Sequence, residues 1–290
     1  MPELPWSLEI AAPGFEVEET EIAPSGDAAR LQAVNKATGV ILSAFLEKAP
    51  KKGDSKACRE HYWNRAKQSP FKKEHIRMRE SGPLAAVEYS VPDLLGKGGS
   101  QRNLNAYVAE GEYWMDVHLS TTSERTGNQD PFSPILKAIR INHAYAPTAS
   151  DRFNFGNVYY QQKNYKRAAA QYEKALDIEK QKTSLARNLW LVLVDQLGMS
   201  YGLSGELAKS QRLYEWAVTK EPDYPMFYYS LACAFAEMGN QDKAIENLRL
   251  AHRHRDESLP GESVPNPRTD SFFTKYLSNP EFRAALDKMK

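Results

Sequence analysis

The chain is poor in cysteine, with two residues, Cys58 and Cys233, among 290. They lie in different halves of the sequence, and one distant pair cannot form the disulfide framework that holds many small secreted domains together. We therefore expect two reduced thiols, because a free cysteine usually packs as a small buried hydrophobe.

Long apolar runs and an excess of one charge are also missing. The longest apolar stretches, 39–46 and 189–194, fall far short of the roughly 20 residues that a membrane-spanning helix needs. Basic and acidic residues number 38 and 37, so the chain as a whole is not a dedicated polyanion binder. The sequence begins without a basic region followed by an apolar one. This predicts a cytoplasmic protein, or a periplasmic or secreted one if an export signal was removed.

The second half of the sequence contains a repeat, seen when residues 155–176, 197–218 and 231–252 are aligned without gaps. Each segment has a small residue near its start, an aromatic three positions later, and a second small residue twelve positions after the first. Small side chains at this spacing let two helices cross closely. The small positions are Gly156, Ala168, Gly198, Ser210, Ala232 and Ala244.

This pattern resembles the tetratricopeptide repeat (TPR), whose closing proline is matched by Pro222. The resemblance implies an all-α helical-hairpin solenoid over 150–290, with three hairpins and a C-terminal capping helix. The step from Gly156 to Gly198 is eight residues longer than the step from Gly198 to Ala232. The inserted stretch contains no proline or glycine that would interrupt a helix. We therefore predict two helices lengthened by about a turn each. The capping helix should begin after Ser278 or Asn279, with Pro280 at its first position.

Stacked hairpins leave the first helix of each pair lining a concave groove that can hold a peptide. Counting from each small position predicts a mostly uncharged groove formed by Asn154, Asn157, Tyr160, Gln161, Gln196, Met199, Leu203, Ser230 and Glu237. Some tetratricopeptide proteins clamp the C-terminal carboxylate of heat-shock chaperones with lysine and arginine, which are absent from these positions. The lining instead favours a neutral or apolar segment. Partial cover by the N-terminal domain is an equally open reading.

In the first half the apolar period drops to two, which predicts strands around Leu31 and Ala33 and over 40–47, 76–78, 84–91, 104–109 and 113–119. Two helices, 55–68 and 131–141, should interrupt the antiparallel sheet. The fold class is therefore an α+β domain over 1–142 followed by the helical domain, with the boundary between Asn142 and Ser150. The first strands and the helix after them resemble the PsbP-like fold, which implies an accessory, non-catalytic role.

A local excess of positive charge between Lys51 and Arg79 offers an alternative function. Its basic residues are Lys51, Lys52, Lys56, Arg59, Arg65, Lys67, Lys72, Lys73, Arg77 and Arg79. With Tyr62, Trp63 and Phe71 interleaved, this segment could bind nucleic acid or an acidic surface. A solvated helix face is the favoured reading, so we do not expect a nucleic-acid partner.

A second alternative is a thiol-dependent enzyme, because Cys58 and His61 lie three residues apart on a predicted helix. No orienting group is identifiable for that pair. The glycine-rich segment 96–100 lacks the frame of a phosphate loop, and Asp116 with His118 falls short of a metal site. We predict neither catalysis nor a cofactor or metal. The predicted function is that of an adaptor or scaffold that binds a protein or peptide partner.

Overall fold

The computed structural model describes residues 4–23, 25–93, 96, 99–122 and 130–289. The described residues up to Ala146 form one compact unit, and those from Pro147 onward form a second. The first unit is rich in sheet and the second is helical. No helix in these ranges is long and apolar enough to cross a lipid bilayer.

A seven-stranded antiparallel sheet dominates the first unit, with the strand order β2-β3-β4-β8-β7-β6-β5. Its strands are β2 (Glu16–Ile22), β3 (Ala28–Asn35), β4 (Val40–Lys48), β5 (Glu74–Ser81), β6 (Leu84–Pro92), β7 (Ser100–Glu110) and β8 (Tyr113–Thr122). The strands predicted from the two-residue period are confirmed. Alternation places successive side chains on opposite faces, so Leu104 and Ala106 enter one core and Tyr107 enters another.

Helix α1 (Ser55–Ala66) packs on the second of these faces. Asp54 caps it by accepting a hydrogen bond from the Ala57 N–H at 2.9 Å. The helix buries Cys58 and Trp63 against Tyr107, Trp114 and Val87. The predicted helix over 55–68 is thus confirmed, although it ends two residues earlier.

The predicted helix over 131–141 is wrong in its second half. Only a short helix, α2 (Ser133–Lys137), follows Asp130, and the next residues form strand β9 (Ile139–Asn142). This strand pairs antiparallel with β1 (Ser7–Ile10), with Ile10 opposite Ile139. The local sequence is compatible with a helix. Its conformation is decided instead by pairing with β1, a strand near the start of the sequence. The first unit therefore has more sheet and less helix than predicted.

The second unit begins with six helices joined in pairs by short turns. They are α3 (Ala149–Gln161), α4 (Tyr165–Gln181), α5 (Arg187–Leu203), α6 (Leu207–Lys220), α7 (Pro225–Glu237) and α8 (Gln241–Arg253). Helices α4 and α5 have 17 residues each, against 13 in α7 and α8, which confirms the predicted extra turns. Helix α3 begins with a capping box, because Thr148 accepts from the Asp151 N–H while Asp151 accepts from the Thr148 N–H.

The six small residues of the repeat are all buried where helices cross. A Cβ atom added to Gly156 would lie 2.2 Å from the ring of Tyr172, and one added to Gly198 would lie 2.2 Å from the ring of Tyr214. No side chain fits at such distances, so each tyrosine packs on helix backbone. The repeat pattern thus follows from a steric need, and the six helices form three consecutive hairpins.

The chain after α8 folds back onto the last hairpin. A 3₁₀ helix (Ser271–Tyr276) precedes α9 (Pro280–Asp287), which begins as predicted, with Asn279 accepting from the Glu281 N–H at 2.8 Å. Phe273 and Phe282 are fully buried and stack with ring centroids 5.9 Å apart. The Tyr276 hydroxyl donates to the Ala236 carbonyl of α7 at 2.9 Å. These contacts cover the end of the last hairpin.

Candidate peptide-binding groove

A cavity of about 460 Å³ lies along the first helices of the second and third hairpins. Helices α5 and α7 form its floor, and the segment after α8 forms a third wall. The side chains of α5 and α7 that line it include Met199, Leu203, Met226, Tyr229, Ser230, Cys233 and Glu237. The third wall consists of Pro265, Asp270 and Phe272.

The lining is largely apolar and partly open to solvent. Leu203 is 49% exposed and Phe272 is 36% exposed, while Met199 and Met226 are half-buried. Exposed apolar side chains around a concavity are typical of a surface that binds a ligand or another protein. Methionine adds adaptability, because its unbranched side chain can repack around different partners.

A polar network behind the groove fixes its two first helices. The carboxylate of Asp195 on α5 accepts hydrogen bonds from the Tyr214 hydroxyl at 3.1 Å and the Ser230 hydroxyl at 3.0 Å. Burial raises the pKa of Asp195 to about 6, although both hydrogen bonds act in the opposite direction. Asp195 therefore connects the second hairpin to the third, and its ionised form is destabilised by desolvation.

The pH dependence of stability should reveal this carboxylate. In the unfolded chain Asp195 should have a pKa of about 3.9. The raised pKa means that the protonated carboxyl stabilises the folded state. This contribution to the free energy of unfolding is fully present below pH ~4 and is lost as the pH rises to about 6, because the unfolded chain releases the proton at a lower pH than the folded one. Asp195→Asn cannot ionise and keeps an acceptor for both hydroxyls. We expect its stability relative to the wild type to be higher at pH 8 than at pH 4, measured by urea unfolding. The same difference at both pH values would contradict this assignment.

The structure gathers only part of the predicted groove into this cavity. Four of the nine predicted residues line it: Met199, Leu203, Ser230 and Glu237. Residues Asn154, Asn157, Tyr160, Gln161 and Gln196 lie outside its lining. Asn157 instead accepts a hydrogen bond from the Tyr172 hydroxyl at 2.7 Å, inside the first hairpin.

Sequence reasoning missed several cavity residues. Met226 and Tyr229 stand two turns and one turn, respectively, before Cys233 on α7, so extending the helical stripe backwards would have found them. Asp270 and Phe272 lie at the start of the 3₁₀ helix, in a segment without a repeat pattern. Nothing in the local sequence indicates that this segment returns to the groove.

The basic segment does not form a stacking platform. Trp63 is buried in the core, and Tyr62 donates a hydrogen bond to Glu47 while stacking on Tyr107. Of the three interleaved aromatics, Phe71 alone is exposed. Ion pairs bind some of the cations locally, as in Lys56 with Glu80 at 3.0 Å. Nucleic-acid binding by this segment is an alternative and not the expectation, and no contact among the described residues favours it.

The Cys58 thiol does not have the properties of a nucleophile. It is fully buried, its Sγ lies 3.8 Å from the Met115 carbonyl oxygen, and burial raises its pKa to about 12. The thiol is therefore protonated at neutral pH and out of reach of a substrate.

The other candidates, Asp116 with His118 and the glycine-rich segment, do not form a recognisable site in the described residues. His118 contacts the Asn103 side chain at 3.0 Å, and Asn105 donates to Asp116 at 2.9 Å. Within the described ranges, no group of three or more His, Cys, Asp or Glu side chains could hold a metal ion. The glycine-rich segment 96–100 falls partly outside the described residues.

Known proteins resemble part of the chain. Family profiles of the tetratricopeptide repeat match residues 149–182 and 227–251, within the first and third hairpins. The human intraflagellar transport protein 88 homolog is 27% identical over 135 residues, which cover 46% of this chain and 16% of that protein. The C-terminal half therefore contains tetratricopeptide repeats, and the chain matches only about a sixth of the length of this relative.

Two solved structures resemble about half of the chain at low identity. PcrH from Pseudomonas aeruginosa is 14% identical, with 49% of this chain and 90% of that chain covered and a TM-score of 0.34. The Yersinia enterocolitica type III secretion chaperone SycD, solved with a peptide of the translocator YopD, is also 14% identical, with 51% and 96% covered and a TM-score of 0.34. At these values neither structure defines a ligand or a partner for this chain.

Proposed function

We propose that this protein is a non-catalytic adaptor that binds a segment of another protein in the groove of its second and third hairpins. The cavity along α5 and α7, with half-exposed Leu203 at its edge, is the observation that carries the proposal. Its volume of about 460 Å³ lies within the range of roughly 300–1,000 Å³ that ligand sites occupy. The tetratricopeptide repeats support the proposal, because stacked hairpins commonly present a concave surface to peptides.

The construction of the groove also suits an extended segment. Its walls come from two helices held together through Asp195 and from the segment around Asp270, which accepts a hydrogen bond from the Tyr229 hydroxyl at 2.7 Å. Such a preorganised site loses little entropy when a ligand enters. Apolar side chains of the ligand would contact Met199, Leu203 and Phe272, and this burial of apolar surface would drive binding.

The sheet unit takes an accessory role in this proposal. Its PsbP-like resemblance, carried by the segments of β1, β3 and β4, supports a part in protein contacts, and the burial of Cys58 supports a non-catalytic one.

A pair of matched substitutions tests the groove. Leu203→Arg places a charge at the cavity, whereas Met238→Arg makes a similar change at an apolar residue of comparable exposure that is not part of the lining. We expect partners recovered from native lysate by the full-length wild type to bind Leu203→Arg at least about tenfold more weakly, because charge replaces an apolar contact. Calorimetry with each purified partner measures the change.

The Met238→Arg variant should bind those partners with unchanged affinity. If every partner binds the two variants equally well, the groove is not the binding site and the proposed function fails. Far-ultraviolet circular dichroism of both variants verifies that the helices are intact.

A further inference from the structure

The cavity is negatively charged as well as apolar. Its described lining includes the carboxylates of Glu237 and Asp270, but no lysine, arginine or histidine. The chain overall carries 38 basic against 37 acidic residues, so this local imbalance is a property of the groove and not of the composition.

A third carboxylate lies directly behind the floor. Asp195 is bonded to the hydroxyls of Tyr214 and Ser230, two residues that line the cavity. The Cys233 thiol of α7 also lies near these groups: burial raises its pKa most, and the negative charges of Asp270, Asp195 and Glu237 raise it further. Three carboxylates therefore lie close to one stretch of α7, because Asp195 is bonded to Ser230, Asp270 is bonded to Tyr229, and Glu237 is part of the helix.

These carboxylates have no cationic partner among the described residues. Glu237 is exposed at the end of α7 and makes no ion pair there. Asp270 receives hydrogen bonds from the Tyr229 hydroxyl and the Phe272 N–H, which are neutral donors. Their negative charge is therefore not compensated within the groove, and a ligand cation would gain a charge-assisted hydrogen bond there.

We infer that the groove selects a peptide segment that carries lysine or arginine beside apolar side chains. The apolar side chains would occupy the space between Met199, Leu203 and Phe272, and the cation would pair with Glu237 and Asp270. An acidic segment would be repelled by the same groups. This inference rests on the proposed function, since it names the chemistry of the ligand for the same site.

A random peptide library displayed on phage identifies the preferred chemistry without assuming a natural partner. The full-length protein is the target, and Leu203→Arg serves for counter-selection, so that only groove-dependent peptides are retained. We expect the retained peptides to be enriched in lysine or arginine next to leucine, methionine or aromatic residues. Synthetic versions with the cation replaced by glutamine should bind roughly tenfold more weakly, as expected for loss of a charge-assisted hydrogen bond.

Two matched protein variants locate the contact. Glu237→Gln removes one charge from the cavity lining, and Glu246→Gln removes one from an exposed position of α8 outside it. Glu237→Gln should weaken the lysine-containing peptides about five- to tenfold at low salt and leave their glutamine versions unchanged. Glu246→Gln should have no such effect.

The outcomes separate the two proposals. Groove-dependent peptides that are neutral or acidic, or whose affinity does not depend on Glu237, would overturn the inference and leave the proposed function intact. If counter-selection removes no peptides because every ligand binds Leu203→Arg equally well, the proposed function fails and the inference fails with it.

Discussion

Replacing Gly198 by valine is expected to lower the free energy of unfolding by about 3 kcal/mol, the upper end of the usual cost of overpacking a core. The first added carbon would lie 2.2 Å from the ring of Tyr214, where no heavy atom fits. The ring cannot retreat easily, because Tyr214 is buried and its hydroxyl is bonded to both the carboxylate and the main-chain carbonyl of Asp195. Urea unfolding followed by far-ultraviolet circular dichroism measures the loss.

Gly202 supplies the matched control on the same helix. A Cβ atom there would have its nearest neighbour, Ser210 Oγ, at 3.9 Å, which is ordinary van der Waals contact. Gly202→Ala should therefore be neutral or should stabilise the protein by about 0.5–1 kcal/mol, since alanine restricts the unfolded chain. A similar loss in both variants, or none in Gly198→Val, would show that the helices do not cross at Gly198.

The steric requirement at Gly198 also bears on function. Tyr214 lines the cavity and shares Asp195 with Ser230, so a displaced ring would disturb the hydrogen bonds that hold α5 against α7. Stability and groove geometry thus depend on the same crossing. A variant that unfolds partially at this point should lose ligand binding as well.

The helical half could be predicted because its main packing rule is local. Each small residue allows a crossing with a helix that follows within about twenty residues, so the rule repeats along the sequence at short range. The extra turns of α4 and α5 were predictable for the same reason, because the eight additional residues between Gly156 and Gly198 contain no proline or glycine and can only lengthen the neighbouring helices. In the sheet, the two-residue period identified the strands, and most of them pair with the next strand in sequence; the pairing of β4 with β8 is the exception.

Features that depend on distant partners could not be predicted. Strand β9 forms because β1, more than a hundred residues earlier, offers a pairing edge, and the short segment 139–142 alone does not indicate this. The third wall of the groove depends similarly on a return of the chain to α7, fixed by Tyr229 with Asp270 and by Tyr276 with Ala236. The sequence placed the groove on the first helices but could not show which of its residues one cavity would bring together.

Two adjacent phenylalanines test how this returning segment is seated. Phe273 is fully buried, with its ring 5.9 Å from the rings of Tyr229 and Phe282, whereas Phe272 is 36% exposed and lines the cavity. Truncating a buried phenylalanine removes its apolar contacts and leaves a cavity, so Phe273→Ala should cost about 3–5 kcal/mol. Urea unfolding of the full-length protein gives this value.

Phe272→Ala is the control, because it removes the same side chain one residue earlier. Its stability should change by less than about 1 kcal/mol, since it lies at the surface. It should instead weaken the peptides retained by the groove, because the lost ring belongs to the wall that they contact. In the opposite pattern, Phe272→Ala would unfold the protein and Phe273→Ala would only weaken binding. That result would mean that Phe272, and not Phe273, packs against α7, and that different side chains form the third wall of the cavity.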